Sequence, residues 1–278
     1  MAGIFERFAT LVTVADLATP LGPDLQSEMA IEDAIYALES ACETGSYDPV
    51  SRCSLVFEGG KVIGCLKVHD LHAAETRKLS RLAHKIDPLT LISSDMSAIA
   101  FATLCCESDV PLFFVLDGNR LIGTVSYSDL YSAPFRLCLF GLTLQLEEAA
   151  LFVLQQNPDL SINSLSDGRK AKASEVATLR SGKTAAPTTR FLVGCTTFID
   201  KFTMLSKTTE LVGFEKKQLR EIFSSAERVR NYCAHPDGDD RNSAIEKKDL
   251  KSFMDATIAL IIALDKLKFK GLLDPRFV

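Results

Sequence analysis

The chain has 278 residues, enough for two domains of ordinary size rather than one. Hydrophobic residues make up 47%, charged residues 24% and aromatics 8%, with 15 Gly and 10 Pro, a balance that excludes collagen-like, disordered and disulfide-scaffold classes. The net charge of −5 is unevenly spread: residues 1–134 hold 9 Lys/Arg against 18 Asp/Glu, whereas residues 135–278 hold 22 against 18. Within the second half, Ser161 to Arg230 carries 13 basic and 7 acidic residues, which suits a polyanion and equally suits a solvated helical face.

The N-terminal apolar stretch contains Glu6 and Arg7 and lacks the pattern of a signal peptide. The longest apolar run, Leu137 to Leu154, holds Glu147 and Glu148, and Thr257 to Leu264 is short; both read as buried or half-buried helices. A cytoplasmic chain with no membrane partner is expected. Eight cysteines form no CxxC pair and six sit in apolar stretches, as reduced core thiols do.

In chain order, the first half repeats itself. Gly60-Lys-Val-Ile-Gly64-Cys-Leu-Lys-Val-His-Asp70 aligns with Gly118-Asn-Arg-Leu-Ile-Gly123-Thr-Val-Ser-Tyr-Ser-Asp129, and Ser27-Glu28-Met29 answers Ser94-Asp95-Met96. Each copy predicts a helix (Ala30 to Leu38; Ser97 to Cys106), a hairpin turning at Glu58-Gly-Gly60 or Asp117-Gly-Asn119, and a helix opening at Asp70 or Asp129. Strands are expected at Leu55 to Phe57 with Val62 to Val68, and at Leu112 to Leu116 with Leu121 to Ser126. The first copy is longer by a loop near Gly45 to Pro49.

Two copies of helix, hairpin and Gly-x-x-Ser/Thr-x-x-Asp resemble a tandem pair of cystathionine-β-synthase (CBS) domains, over about residues 10–134. The resemblance implies an α+β, Bateman-type module that binds an adenine nucleotide as a regulatory ligand, its Asp accepting from ribose hydroxyls and its Ser/Thr near phosphate. The second copy keeps both residues, as Ser126 and Asp129. The first keeps Asp70 but has Lys67 at the hydroxyl position, where it offers a phosphate counter-charge instead. A ligand-free reading stands beside this one, because a carboxylate directly before a helix caps free N–H groups by itself.

After Pro134 the pattern turns helical. Helices are predicted at Phe135 to Gln156, Ser174 to Leu179, Phe191 to Leu205, Glu215 to Ala234 and Glu246 to Phe269, with Asn157 to Thr189 the least ordered stretch. The fourth places Leu219, Ile222, Phe223, Ala226, Val229 and Cys233 on one stripe and ends in Arg230-Asn231-Tyr-Cys-Ala-His235-Pro236. Pro236 disfavours helical geometry at His235, and Arg230, one turn earlier, is expected on the exposed side. Five residues at the helical rise span about 7.5 Å, close enough for both side chains to reach one phosphate.

Arg-x4-His with a polar residue after the Arg, near a helix end in an all-α unit, resembles the HEPN family of ribonucleases and toxins over residues 135–278. The resemblance implies a helical-bundle domain that dimerises to form a composite cleft and cuts RNA without metal. Arg230 would steady the non-bridging phosphate oxygens, His235 would transfer protons, and Asn231 would orient the phosphate. An acidic residue near the motif corresponds to Glu147 or Glu148. The alternative for the motif is structural, with Arg230 paired to a carboxylate such as Glu227 and His235 at a helix C-terminus.

Other signals are set aside. Gly182-Lys183-Thr184 lacks the earlier glycine of a phosphate-binding loop. His69-x2-His72 has no third ligand at suitable spacing, Arg77 and His84 read as solvated surface, and Asp237-Gly-Asp-Asp240 reads as an acidic turn. No metal site is expected. The combined reading is a nucleotide-regulated, metal-independent endoribonuclease, by analogy one for stress response or phage defence. Its expected partners are RNA, an adenosine-type nucleotide, a second copy of the chain, and a cognate antitoxin or partner protein. The competing reading is a non-catalytic regulatory module that binds protein or RNA through its helical half.

Overall fold

The computed structural model describes residues 11–43, 53–72, 78–182, 187–208, 214–234 and 247–273. The described residues divide into two compact units, 11–135 and 136–273.

The first unit is α+β and built twice over. A short helix α1 (Val14–Leu17) and strand β1 (Thr19–Pro20) precede the first repeat, which comprises β2 (Leu25–Gln26), α2 (Ile31–Glu43), β3 (Ser54–Glu58), β4 (Lys61–Leu66) and α3 (Val68–His72). After α4 (Leu79–Leu82) the second repeat comprises β5 (Leu91–Ser93), α5 (Ala98–Glu107), β6 (Phe113–Asp117), β7 (Arg120–Val125) and a 3-10 turn, Tyr127–Tyr131. In both repeats a short strand runs parallel to the first hairpin strand, and the hairpin shifts register at the same point, Val56/Phe57 and Val115/Leu116. The turns close through Gly59 and Gly60 at φ 56° and 77°, and through Gly118 at φ 58°, conformations that penalise a Cβ.

The segments leading into the repeats are exchanged. β1, which precedes the first repeat, pairs with β7 of the second; His84, which precedes the second, bridges to Cys65 of the first. These crossings explain the two motif glycines. A Cβ at Gly64 would lie 2.5 Å from the His84 carbonyl oxygen, and one at Gly123 would lie 2.7 Å from that of Thr19. Cys53, Leu55 and Cys65 of the first repeat pack with Phe114 of the second, while Phe101 meets Phe113 edge-on, centroids 5.8 Å apart. The Cys65 thiol and burial push Cys53 up, and Cys65 is held down by the same hydrogen bond.

Two sequence expectations need correction here. The helical turns open two residues before Asp70 and Asp129, so each carboxylate stands at the third position and reaches back instead of capping forward.

The second unit is helical among its described residues. α6 (Ala133–Leu154) begins at the end of the first unit and tolerates Pro134 in its first turn. It is long and apolar enough to cross a membrane by length and composition, and half of its most apolar stretch is buried. α7 (Pro158–Asn163) and α8 (Asp167–Ser181) follow, where the sequence suggested the least order. The helix expected at Ser174 to Leu179 is the second half of α8, whose buried stripe rests on the small Ala173 and Ala177, so periodicity of large residues is weak there. The single helix expected at Phe191 to Leu205 is two, α9 (Thr189–Gly194) and α10 (Phe198–Thr208). Thr197 and Asp200 restart the helix by reciprocal hydrogen bonds of 3.2 Å each. α11 (Lys216–Ala234) and α12 (Lys247–Leu273) complete the unit. The α11 stripe is inward as expected, with Leu219, Ile222, Phe223, Ala226 and Val229 buried. Of the seven described free cysteines, five are buried and Cys106 and Cys233 are half-buried.

Candidate functional site

The repeat motifs place their carboxylates at matching positions. Asp70 Oδ2 accepts from the Lys67 backbone N–H at 2.8 Å, and Asp129 Oδ2 accepts from the Ser126 N–H at 2.6 Å and from its hydroxyl at 2.9 Å. The same closure joins Thr13 to Asp16 and Thr197 to Asp200, so this bond is a device for opening a helical turn. It uses one carboxylate oxygen and leaves the other for its surroundings.

Those surroundings differ. Asp70 Oδ1 lies 3.1 Å from His69 Nε2 and 3.5 Å from His84 Nε2. The second oxygen of Asp129 meets no hydrogen-bond or ion-pair partner among the described residues, and the Ser126 hydroxyl also contacts that of Ser128 at 2.7 Å. His84 is thus more than the solvated surface residue its sequence context suggests: its backbone exchanges two 2.9 Å hydrogen bonds with Cys65. Arg77 lies outside the described residues, as do Asp237 to Asp240. Among the described residues no group of three His, Cys, Asp or Glu side chains is arranged to hold a metal ion.

In the helical unit, Arg230 corrects an expectation. It is half-buried rather than on the exposed face, and its Nε is buried with no hydrogen-bond partner among the described residues. No ion pair with Glu227 is present among the described residues. The reason is geometric: Arg230 follows the buried Val229 and stands one turn before Cys233, whose thiol sits by the Phe140 backbone and Arg136. The last turn of α11 thus comes near the start of α6 at Cys233. Burial pushes the Cys233 thiol up to about 11, with Arg136 opposing the shift. Asn231 is exposed. His235 lies outside the described residues, directly after the last residue of α11.

Of the two acidic candidates on α6, Glu148 is exposed and Glu147 faces inward. Glu147 Oε1 lies 3.0 Å from Nζ of Lys201, whose side chain is 2% exposed and which also donates to the Thr196 carbonyl at 2.7 Å. Lys201 was missed by sequence reasoning, although a lysine sharing a helical face with Phe198 and Leu205 is a visible signal. It binds α6 to the break between α9 and α10. Nearby in chain order, Asp200 pairs with Arg169 at 2.9 Å. Elsewhere in this unit, both amide atoms of Gln145 on α6 and the Thr257 hydroxyl on α12 are also buried without a partner among the described residues.

No family model matches the sequence, and no curated protein matches it. Similar solved structures cover only part of the chain. A Vibrio cholerae protein named for acetoin utilization, AcuB, is 18% identical over 43% of this chain and 87% of its own, with a TM-score of 0.32. The CBS domain of the bacterial CNNM/CorC family Mg2+ transporter is 14% identical over 47% of this chain and 78% of its own, with a TM-score of 0.34. The cytosolic domain of the Mg2+ channel MgtE, solved in complex with ATP, is 21% identical over 43% of this chain and 47% of its own, with a TM-score of 0.35. The likeness covers less than half of the chain and, at these values, names no family for it.

Proposed function

We propose that the chain is a regulated effector: its repeated unit binds an adenine nucleotide as a CBS pair, and its helical unit is a HEPN-type, metal-independent endoribonuclease acting through Arg230 and His235. The observation that carries this reading is the half-buried guanidinium of Arg230, whose Nε meets no partner among the described residues. A buried, unsatisfied polar atom is destabilising by about 1–3 kcal/mol, and an arginine held that way is pre-set for an anion. The repeat supports the sensor half, since Asp129 keeps an oxygen free after closing its turn.

In the proposed reaction a ribose 2′-oxygen attacks the adjacent phosphorus while its proton passes to a base, and the 5′-oxygen leaves with a proton from an acid. The products are a 2′,3′-cyclic phosphate and a 5′-hydroxyl. Arg230 stabilises charge on the non-bridging oxygens, and His235 carries a proton. Two copies of the chain would bring two motifs to one cleft.

The test is cleavage of end-labelled single-stranded RNA in EDTA, with and without AMP, ADP, ATP and cyclic adenylates. The expected result is cyclic-phosphate ends from wild type and none from His235→Ala, with RNA affinity kept. Equal RNA binding by both proteins and cleavage by neither would overturn the nuclease half and favour a non-catalytic module.

A further inference from the structure

The two half-sites of the repeated unit share a backbone and differ in what occupies the carboxylate. Asp70 and Asp129 are equivalent through their hairpins, and both close a turn on the residue three positions earlier. Equivalent positions then diverge three times: Lys67 answers Ser126, His69 answers Ser128, and His84, bridged to Cys65, answers Thr19, paired with Thr124. In the first half-site both carboxylate oxygens are engaged, one by the Lys67 N–H and the other by two imidazoles. In the second, one oxygen remains open beside two hydroxyls.

Resting on the sensor reading above, we infer that this unit takes one nucleotide per chain, at Ser126 and Asp129, and that His69 and His84 close the first half-site by occupying Asp70. A ribose diol needs a carboxylate oxygen able to accept. Asp129 offers one, whereas Asp70 offers it only after two imidazoles are displaced. Both imidazoles are largely exposed, with side chains 72% and 67% accessible, so the closure is a contact that substitution can open without disturbing the core. The change at Lys67 adds to it by removing the hydroxyl.

Isothermal titration of the full chain with AMP and with ATP tests this. Wild type is expected to bind one equivalent per chain. Asp70→Asn should leave affinity within about twofold, and Asp129→Asn should weaken it roughly tenfold or more, the scale of a lost hydrogen bond to a charged group. Both variants keep a side-chain carbonyl able to accept the backbone N–H that closes the turn, so folding is preserved. The triple variant Lys67→Ser, His69→Ser, His84→Thr gives the first half-site the residues of the second and should bind two equivalents. Two equivalents in wild type, loss of binding in Asp70→Asn, or one equivalent in the triple variant would overturn the inference while leaving the sensor reading intact. No binding of either nucleotide by wild type would overturn both.

Discussion

The two units treat their candidate site residues in opposite ways, although both also bury unpartnered polar atoms, the Ser54 and Ser132 hydroxyls among them in the repeated unit. In the repeated unit the motif carboxylates close turns: Asp70 and Asp129 satisfy backbone N–H groups at 2.8 and 2.6 Å. In the helical unit, Gln145, Arg230 and Thr257 bury polar atoms that meet no partner among the described residues, while Lys201 is buried with two. A ligand role in the first unit must therefore use the carboxylate oxygen left over after a structural duty. In the second unit, unspent hydrogen-bonding capacity is itself the signal, because it destabilises the fold for as long as nothing meets it.

The sharpest way to break this comparison is at Lys201. Replacing it by Ala strips the inward-facing Glu147 and the Thr196 carbonyl of their shared partner. Breaking a buried pair from one side typically destabilises by about 3–5 kcal/mol; Glu147 retains some access to water, so a loss near 3 kcal/mol is expected in urea unfolding of the full chain. Arg169→Ala, which removes the half-exposed partner of Asp200, should be clearly milder. Equal effects would mean that Lys201 is not the tie between α6 and the α9/α10 break.

In the repeated unit the corresponding test is steric. Gly64→Ala and Gly123→Ala each drive a methyl group against a carbonyl of the crossing segment. Overpacking of this kind usually destabilises by about 1–3 kcal/mol, and because the obstacle is backbone, about 2 kcal/mol is expected for each. Thermal melts giving one large and one negligible loss would show that the two crossings are not mechanically equivalent.

Legibility followed the same division. The hairpins, the repeat and both motif glycines could be read from sequence because turn chemistry is local: Glu58-Gly-Gly60 and Asp117-Gly-Asn119 dictate their own geometry. The exchange of lead-in segments could not, since pairing of Thr19 with Thr124 joins residues remote in sequence. The same limit hid the contact of His84 with Asp70. In the helical unit, the long α6, α11 and α12 were visible in their apolar periods. Of α8 only the stretch Ser174 to Leu179 was, because alanines leave little periodic signal, and the restart at Thr197 was overlooked although Thr-x-x-Asp is a helix-opening pattern. For Arg230, the motif spacing was legible but the burial was not, because it depends on how the end of α11 packs against residues remote in sequence.

A pH prediction probes that packing. The Cys233 thiol is held up to about 11 from an ordinary value of 9. Between those pH values the folded state binds more protons than the unfolded one, so stability is full below pH 9 and falls as pH rises toward 11. With partial exposure the loss should be about 1 kcal/mol, and Cys233→Ala should flatten it after subtraction of its own cavity effect. Unfolding curves at pH 8 and pH 10.5 give the slope; an unchanged slope in the variant would place the titrating group elsewhere.

The smallest stability effect is expected at the residue with the largest proposed role. Arg230→Met keeps the length and apolar stem of the side chain while removing the guanidinium whose Nε is buried and unpartnered. Removing an unsatisfied group relieves its desolvation penalty, so stability should rise slightly, by up to about 1 kcal/mol, whereas RNA cleavage should be lost. A structural arginine predicts the reverse sign, because its removal would leave a partner unpaired. The paired measurement of unfolding free energy and cleavage in one variant thus separates the readings by sign rather than size. A stabilised, inactive Arg230→Met would show the guanidinium to be held against the preference of the fold, for an anion that the folded chain does not itself supply.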